Sequence, residues 1–159
     1  MYITDRAYSK EDVLQMEFLI LSALSFDLTL PTSLRFLERY MRMLGEDEGV
    51  MTLSQFLLEL SLIDVRMLHY QSSVLAAAAL LQAYKIITRR VHPEAGEKRV
   101  EAFVRESLGF TKGEGAETLL LCCKELHFLQ VKSMGSSLQA VRKKFQGPEF
   151  ANVHAYIFS

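Results

Sequence analysis

The sequence predicts an all-α protein organised around one enclosed helix. The first observation is residues 72–88, Ser-Ser-Val-Leu-Ala-Ala-Ala-Ala-Leu-Leu-Gln-Ala-Tyr-Lys-Ile-Ile-Thr, which hold no Gly or Pro and are rich in Ala and Leu, the strongest helix formers. Apolar residues circle most of this helix, leaving a thin polar line through Gln82, Lys85 and Arg89, so other elements must enclose it. The apolar run 74–81 is far shorter than the roughly 20 residues a bilayer span needs. The second observation is that apolar residues recur at helical spacing on both sides of it. The third is that no stretch alternates convincingly enough to read as a strand. Ala76, Ala79 and Ala83 fall on one side of the central helix, where neighbours can come close.

Taken in order, residues 10–26 read as a helix, with Ser9 as N-cap and Glu11 and Asp12 in the first turn. Its polar side is narrow, holding Glu11, Gln15 and Ser22. Glu17 lies four residues from both Val13 and Leu21, inside an apolar stripe. Residues 27–31 form an extended linker into Pro31. Residues 32–44 form an amphipathic helix facing inward with Leu34, Leu37, Met41 and Leu44. An acidic turn follows at 45–49. Thr52 and Gln55 suit a capping box for a helix over 53–63, with Leu53, Phe56, Leu57, Leu60 and Ile63 inward.

Residues 64–71 connect to the central helix, and 89–96 form a loop with His92 and Pro93. A further helix over 97–108 turns Val100, Phe103 and Val104 inward and stops at Gly109. The next spans about 114–132, with Leu119, Cys122, Cys123, Leu126 and Leu129 buried. Leu138, Val141 and Phe145 mark a short tail helix that ends at Gly147-Pro148. The five helices between 32 and 132 read as one compact all-α module.

Composition limits the function classes. Half of the 159 residues are hydrophobic, which is globular rather than disordered. The formal net charge of −1 gives no reason to expect nucleic acid or an anionic membrane as partner. The first residues lack the basic region and apolar run of a secretory signal. Cys122 and Cys123 are neighbours on a helix and point apart, so a disulfide between them is not expected. They read as small buried hydrophobes with reduced thiols, an intracellular pattern.

His69, His92, His127 and His154 are scattered without metal-ligand spacing, and no nucleophile signature is present. No catalytic residue, metal or cofactor is expected. Arg142-Lys143-Lys144 read as a solvated helix face. Glu17 is the exception, because a carboxylate buried among apolar residues needs a partner. It either reaches water at the stripe's edge or serves a binding surface.

A resemblance emerges from ordered motifs. Tyr2-Ile3-Thr4-Asp5, Tyr8-Ser9-Lys10, Val13-Leu14-Gln15-Met16-Glu17, Leu24-Ser25-Phe26-Asp27-Leu28 and Pro31-Thr32 resemble the middle of a mitotic cyclin. Phe36-Leu37-Glu38-Arg39-Tyr40, Glu59-Leu60-Ser61-Leu62-Ile63-Asp64 and Ser73-Val74-Leu75-Ala76-Ala77-Ala78 continue it, as does Ala140-Val141-Arg142-Lys143-Lys144-Phe145. The start and the linker look more A-type than B-type. A full member of this A/B cyclin family has two five-helix boxes, each around an apolar third helix.

The resemblance implies that residues 1–30 are the last helix and linker of a first box, 31–134 a whole second box, and 135–159 a tail helix and extension. The chain would then be a fragment or short form lacking the other helices of the first box. It implies a non-enzymatic regulatory subunit that binds a cyclin-dependent serine/threonine protein kinase and controls cell-cycle progression in nucleus and cytoplasm. In the family the first box grips the kinase's C helix. Glu17 matches a glutamate that acts there with a lysine from the box's third helix, a position outside this chain. Leu21, Phe26 and Leu28 match its apolar contacts. The chain is therefore expected to be an incomplete activator whose first helix, with Leu14, Phe18 and Leu21 not all enclosed, stays exposed, self-associates or folds back. The alternative is a stand-alone cyclin-box adaptor for another protein, such as a transcription-factor or pocket-protein type partner.

Overall fold

The computed structural model describes residues 5, 7–45, 48–91, 95–109, 113–153 and 156, without the side chains of 88–91, 95–99, 107–108 and 151–152. Among these residues all regular structure is helical: α1 (Lys10–Ala23), α2 (Ser33–Leu44), α3 (Glu48–Ser61), α4 (Ser72–Val91), α5 (Ala95–Leu108), α6 (Glu114–Met134) and α7 (Ala140–Lys144). Short 3-10 segments occupy Val65–His69 and Pro148–Val153. The chain divides into two compact units, Met1–Pro31 and Thr32–Ser159.

The second unit is built around α4, as the alanine run requires. Ala76, Ala77, Ala78, Ala79, Leu80 and Ala83 have no solvent exposure. Helices α2, α3, α5 and α6 all pack against α4. Its polar line is accommodated at the edges. Gln82 is buried and its amide lies 2.9 Å from Nδ1 of His127 on α6, while Lys85 pairs with Glu101 of α5 at 3.5 Å. Arg89, His92, Pro93 and His154 lie outside the described residues or side chains. The expected 89–96 loop is shorter, because α4 runs on to Val91 and α5 begins at Ala95.

The inward faces follow the helical period, with shifts at their edges. On α2, Leu37, Tyr40, Met41 and Leu44 are buried, while Leu34 is exposed. Tyr40, outside the expected inward set, is buried instead, with its hydroxyl donating to the Ser73 carbonyl at 3.4 Å. Helix α3 starts earlier than expected, so Thr52 is no cap. Its hydroxyl donates to the Glu48 carbonyl at 2.8 Å, satisfied within the helix. Leu53, Phe56, Leu57 and Leu60 are buried, but the helix stops at Ser61 and Ile63 faces solvent.

Between α3 and α4, Asp64 caps the 3-10 turn by accepting from the Arg66 amide at 3.0 Å. It also holds the Arg66 guanidinium through bonds of 2.9 and 2.7 Å. The hydrogen bonds from the Arg66 side chain and backbone lower the Asp64 carboxyl to about 2. On α5, Val100 and Val104 are buried and Phe103 is half-buried. The helix ends at Gly109, whose φ of +77° suits the position after a helix.

Helix α6 buries Leu119, Cys122, Leu126 and Leu129. After it, Phe145 is buried edge-on against Phe56, with ring centroids 5.4 Å apart. Leu138 is exposed. The tail's basic cluster is only partly the solvated face its composition predicts, since Lys143 and Lys144 are exposed but Arg142 is not. Arg142 is buried and donates to the Ser133 hydroxyl at 3.2 Å, and Lys144 pairs with Glu59 of α3. A long side chain can bury its stem and carry its charge to a partner, which composition does not reveal.

The cysteines take their place in the α4–α6 contact. Cys122 is buried and Cys123 partly so, with the Cys123 thiol 3.9 Å from the Ala78 carbonyl. Burial pushes the Cys122 thiol well above its ordinary value, and burial also pushes Cys123 up to about 11.

Two outcomes follow from this packing. Ala79→Asp places an unpaired carboxylate at a position with no exposure, at a cost of more than about 4 kcal/mol, and the variant should lack a cooperative melt. A stable, cooperatively melting Ala79→Asp protein would contradict the arrangement. The buried thiols set the second. Their contribution to stability is fully present below the ordinary thiol value of 9.0 and is lost as pH rises through the folded value, about 11 for Cys123. Denaturant midpoints should therefore fall above pH 9, and thiol reagents should label the native protein slowly and the unfolded protein fast. Rapid labelling of both thiols in the native protein would remove them from the core.

Candidate functional site

The first unit presents a helix whose start is well specified. Ser9 caps α1 by accepting from the Asp12 amide at 3.1 Å, and Asp12 accepts from the Ser9 amide at 2.8 Å. This reciprocal box satisfies two of the donors that a helix N-terminus leaves open. The Ser9 hydroxyl donates to the same carboxylate at 2.7 Å. These side-chain and backbone hydrogen bonds hold the Asp12 carboxyl below its usual value.

The helix ends earlier than its apolar pattern predicts, at Ala23 rather than Phe26. The chain then reverses through two left-handed residues, Ser25 (φ +52°) and Phe26 (φ +56°). The Phe26 amide donates to the Leu21 carbonyl at 2.8 Å and the Ser25 amide to the Ser22 carbonyl at 3.0 Å. That pair is the Schellman pattern, usually built on glycine. A left-handed conformation costs roughly 1–2 kcal/mol for a residue with a side chain. The turn swings Phe26 back, edge-on, towards Phe18, with centroids 6.5 Å apart. The Asp27 amide donates to Leu24 at 2.9 Å, closing the turn.

None of the fourteen residues of α1 is buried. Leu14 is 52% exposed, Phe18 61% and Ile20 52%; Leu21 is half-buried. An open groove lies against the helix, lined by Tyr8, Asp12, Val13, Met16, Glu17 and Ile20. Glu17 and Leu21, one turn apart, share a face, and both border this groove. Phe26 and Leu28 are 59% and 61% exposed, beyond the helix end. The structure thus brings Glu17 together with Leu21, and Phe26 together with Phe18, while Leu28 stands apart in the extended linker.

Glu17 is exposed, and the buried-carboxylate problem its sequence position raises does not arise in this chain. The sequence places Phe18 in the apolar patch of this helix but not against Phe26, and it gives no sign of the turn at Ser25. A serine gives no warning of a positive φ.

The arrangement presents exposed apolar side chains around one carboxylate, Glu17. Among the described residues no group of three or more His, Cys, Asp or Glu could hold a metal ion. Among them, too, no helix is long and apolar enough to cross a membrane. Of the histidines, His69 stacks on Tyr70 and His127 meets Gln82.

Comparison with known proteins gives these features a family. Residues 31–157 match the family model described as the cyclin C-terminal domain. The chain is 37% identical to Cyclin-A2 of Xenopus laevis over 150 residues, 94% of this chain and 33% of that protein. It is 34% identical to Cyclin-B2-1 of Oryza sativa subsp. japonica over 148 residues, 93% of this chain and 33% of that protein. Cyclin-A1 of Mus musculus is 34% identical over 154 residues, 96% of this chain and 34% of that protein. The relatives carry both A-type and B-type names, and the chain spans about a third of their length. With a helical unit around an alanine-rich central helix and a family match over most of its length, the chain belongs to the cyclin family.

Proposed function

We propose that the chain is a non-catalytic regulatory subunit that binds a cyclin-dependent serine/threonine protein kinase and so controls cell-cycle progression. The observation that carries this reading is α1, an apolar helix with none of its residues buried. Exposed apolar area on this scale marks an interaction surface. In this reading residues 1–30 end a first cyclin box, 31–134 form the second, and 135–159 are its tail. The chain works in the nucleus and cytoplasm.

Glu17, Leu21, Phe26 and Leu28 are the proposed contacts. Leu21 and Phe26 supply apolar anchors beside a carboxylate at Glu17. That carboxylate is exposed in the free chain and can accept hydrogen bonds from kinase backbone amides or a basic side chain. The mechanism is population shift: a subunit that binds the active placement of the kinase's C helix better than the inactive one favours it by that difference in affinity. Self-association through the same apolar helix belongs to this reading, as the competing use of the surface.

Glu17→Ala removes charge-assisted hydrogen bonds worth about 1.5–3 kcal/mol, so affinity for a purified cyclin-dependent kinase should fall roughly 10- to 100-fold. Calorimetric titration reads this directly, with Glu11→Ala, on the polar side of α1, as a neutral control. Equal affinity of the Glu17→Ala and natural chains would return Glu17 to a solvated carboxylate. Capture of a different protein, with no kinase affinity, would favour the adaptor reading instead.

A further inference from the structure

The segment after α1 shows how Phe26 is held, which a list of contacts does not explain. Phe26 lies beyond the helix in an exposed stretch, where a phenylalanine ordinarily samples many orientations. Here both its backbone and its ring make local contacts. The backbone passes through consecutive left-handed residues, Ser25 and Phe26, with the Phe26 amide donating to Leu21 at 2.8 Å and the Ser25 amide donating to Ser22. The ring meets Phe18 edge-on, with centroids 6.5 Å apart. Positive φ at non-glycine residues is uncommon, and strain of this kind persists only where surrounding contacts impose it. A simple helix stop needs none of this, since glycine at position 25 would end α1 without strain.

Resting on the kinase reading above, we propose that Ser25 and Phe18 are positioning residues that lock Phe26, in the free chain, into the conformation in which it meets the kinase. Neither residue is required to touch the kinase. Their role is to settle the order of the 24–27 turn before association, so that binding does not have to impose it. Fixing two backbone residues and one aromatic side chain only on binding would weaken association by about tenfold or more.

The test compares the natural chain with Ser25→Gly and Ser25→Val by two readouts. Amide hydrogen exchange at Phe26 reports the turn, and titration with a purified cyclin-dependent kinase reports affinity. Glycine removes the serine side chain but adopts a positive φ freely. Ser25→Gly should therefore keep the Phe26 amide protected and bind like the natural chain, which also rules out the serine hydroxyl as a contact. Valine disfavours positive φ. Ser25→Val should lose Phe26 protection and bind about tenfold more weakly, a difference of about 1.4 kcal/mol, with its helical circular dichroism unchanged.

Two results overturn the proposal while leaving the kinase reading intact. One is a Ser25→Val chain that loses Phe26 protection yet binds like the natural chain. The other is an unprotected Phe26 amide in a natural chain that binds the kinase. A natural chain with a protected Phe26 amide and no kinase affinity overturns the kinase reading itself, and the presenting role of the turn with it.

Discussion

Close approach across the alanine run of α4 is the contact on which the second unit depends. Five alanines of this helix are without exposure, and four other helices pack around it. Small side chains let helix backbones come nearer than Leu or Phe would allow. The Cys123 thiol, 3.9 Å from the Ala78 carbonyl, marks how near α6 comes. Larger residues then fill the flanks: Leu37 and Met41 from α2, Phe56 and Leu57 from α3, Val100 and Val104 from α5, Leu126 from α6. The Gln82–His127 pair satisfies the one buried amide on α4. Removing the alanine contact would leave these surfaces with nothing to close on, because an interior packed to crystal density tolerates little added volume.

The helices were legible in the sequence because periodicity reports a burial stripe. The edges of the stripes were not. Leu34 and Ile63 fit the apolar pattern of the expected helices and face solvent, while Tyr40, outside that pattern, is buried. Periodicity defines a face to within one position, and the neighbour's shape decides which flanking residue is covered. Thr52 resembles a cap because a hydroxyl can serve either a helix end or a carbonyl one turn back, and here it does the second. Arg142 escaped because its pairing with Ser133 is a tertiary fact. These failures share a cause: each depends on a partner remote in sequence or on a local choice between two satisfied states.

The candidate site divides in the same way. Its helix, its Ser9 N-cap and its excess of apolar surface were readable in the sequence, while the reciprocal Ser9–Asp12 box was not. Glu17 and Leu21 share a face by spacing alone. The position of Phe26 was not readable, since a helical continuation through 24–26 satisfies the apolar pattern as well as the observed turn does. The turn appears only as positive φ at Ser25 and Phe26, residue types with no propensity for it. The sequence rule fails at an exposed apolar residue, Phe26, which lies beside the proposed binding surface.

The most direct test of α1 as the kinase-binding element is a footprint. Amide hydrogen exchange of the full chain, measured with and without a purified cyclin-dependent kinase, reports which backbone the partner covers or rigidifies. The account predicts kinase-dependent protection centred on residues 10–28, spanning α1 and its terminal turn, with the outer face of α6 at Leu120, Leu121 and Phe128 unchanged. Protection centred on α6 or the 3-10 turn Val65–His69, with α1 exchanging as in the free chain, would contradict it.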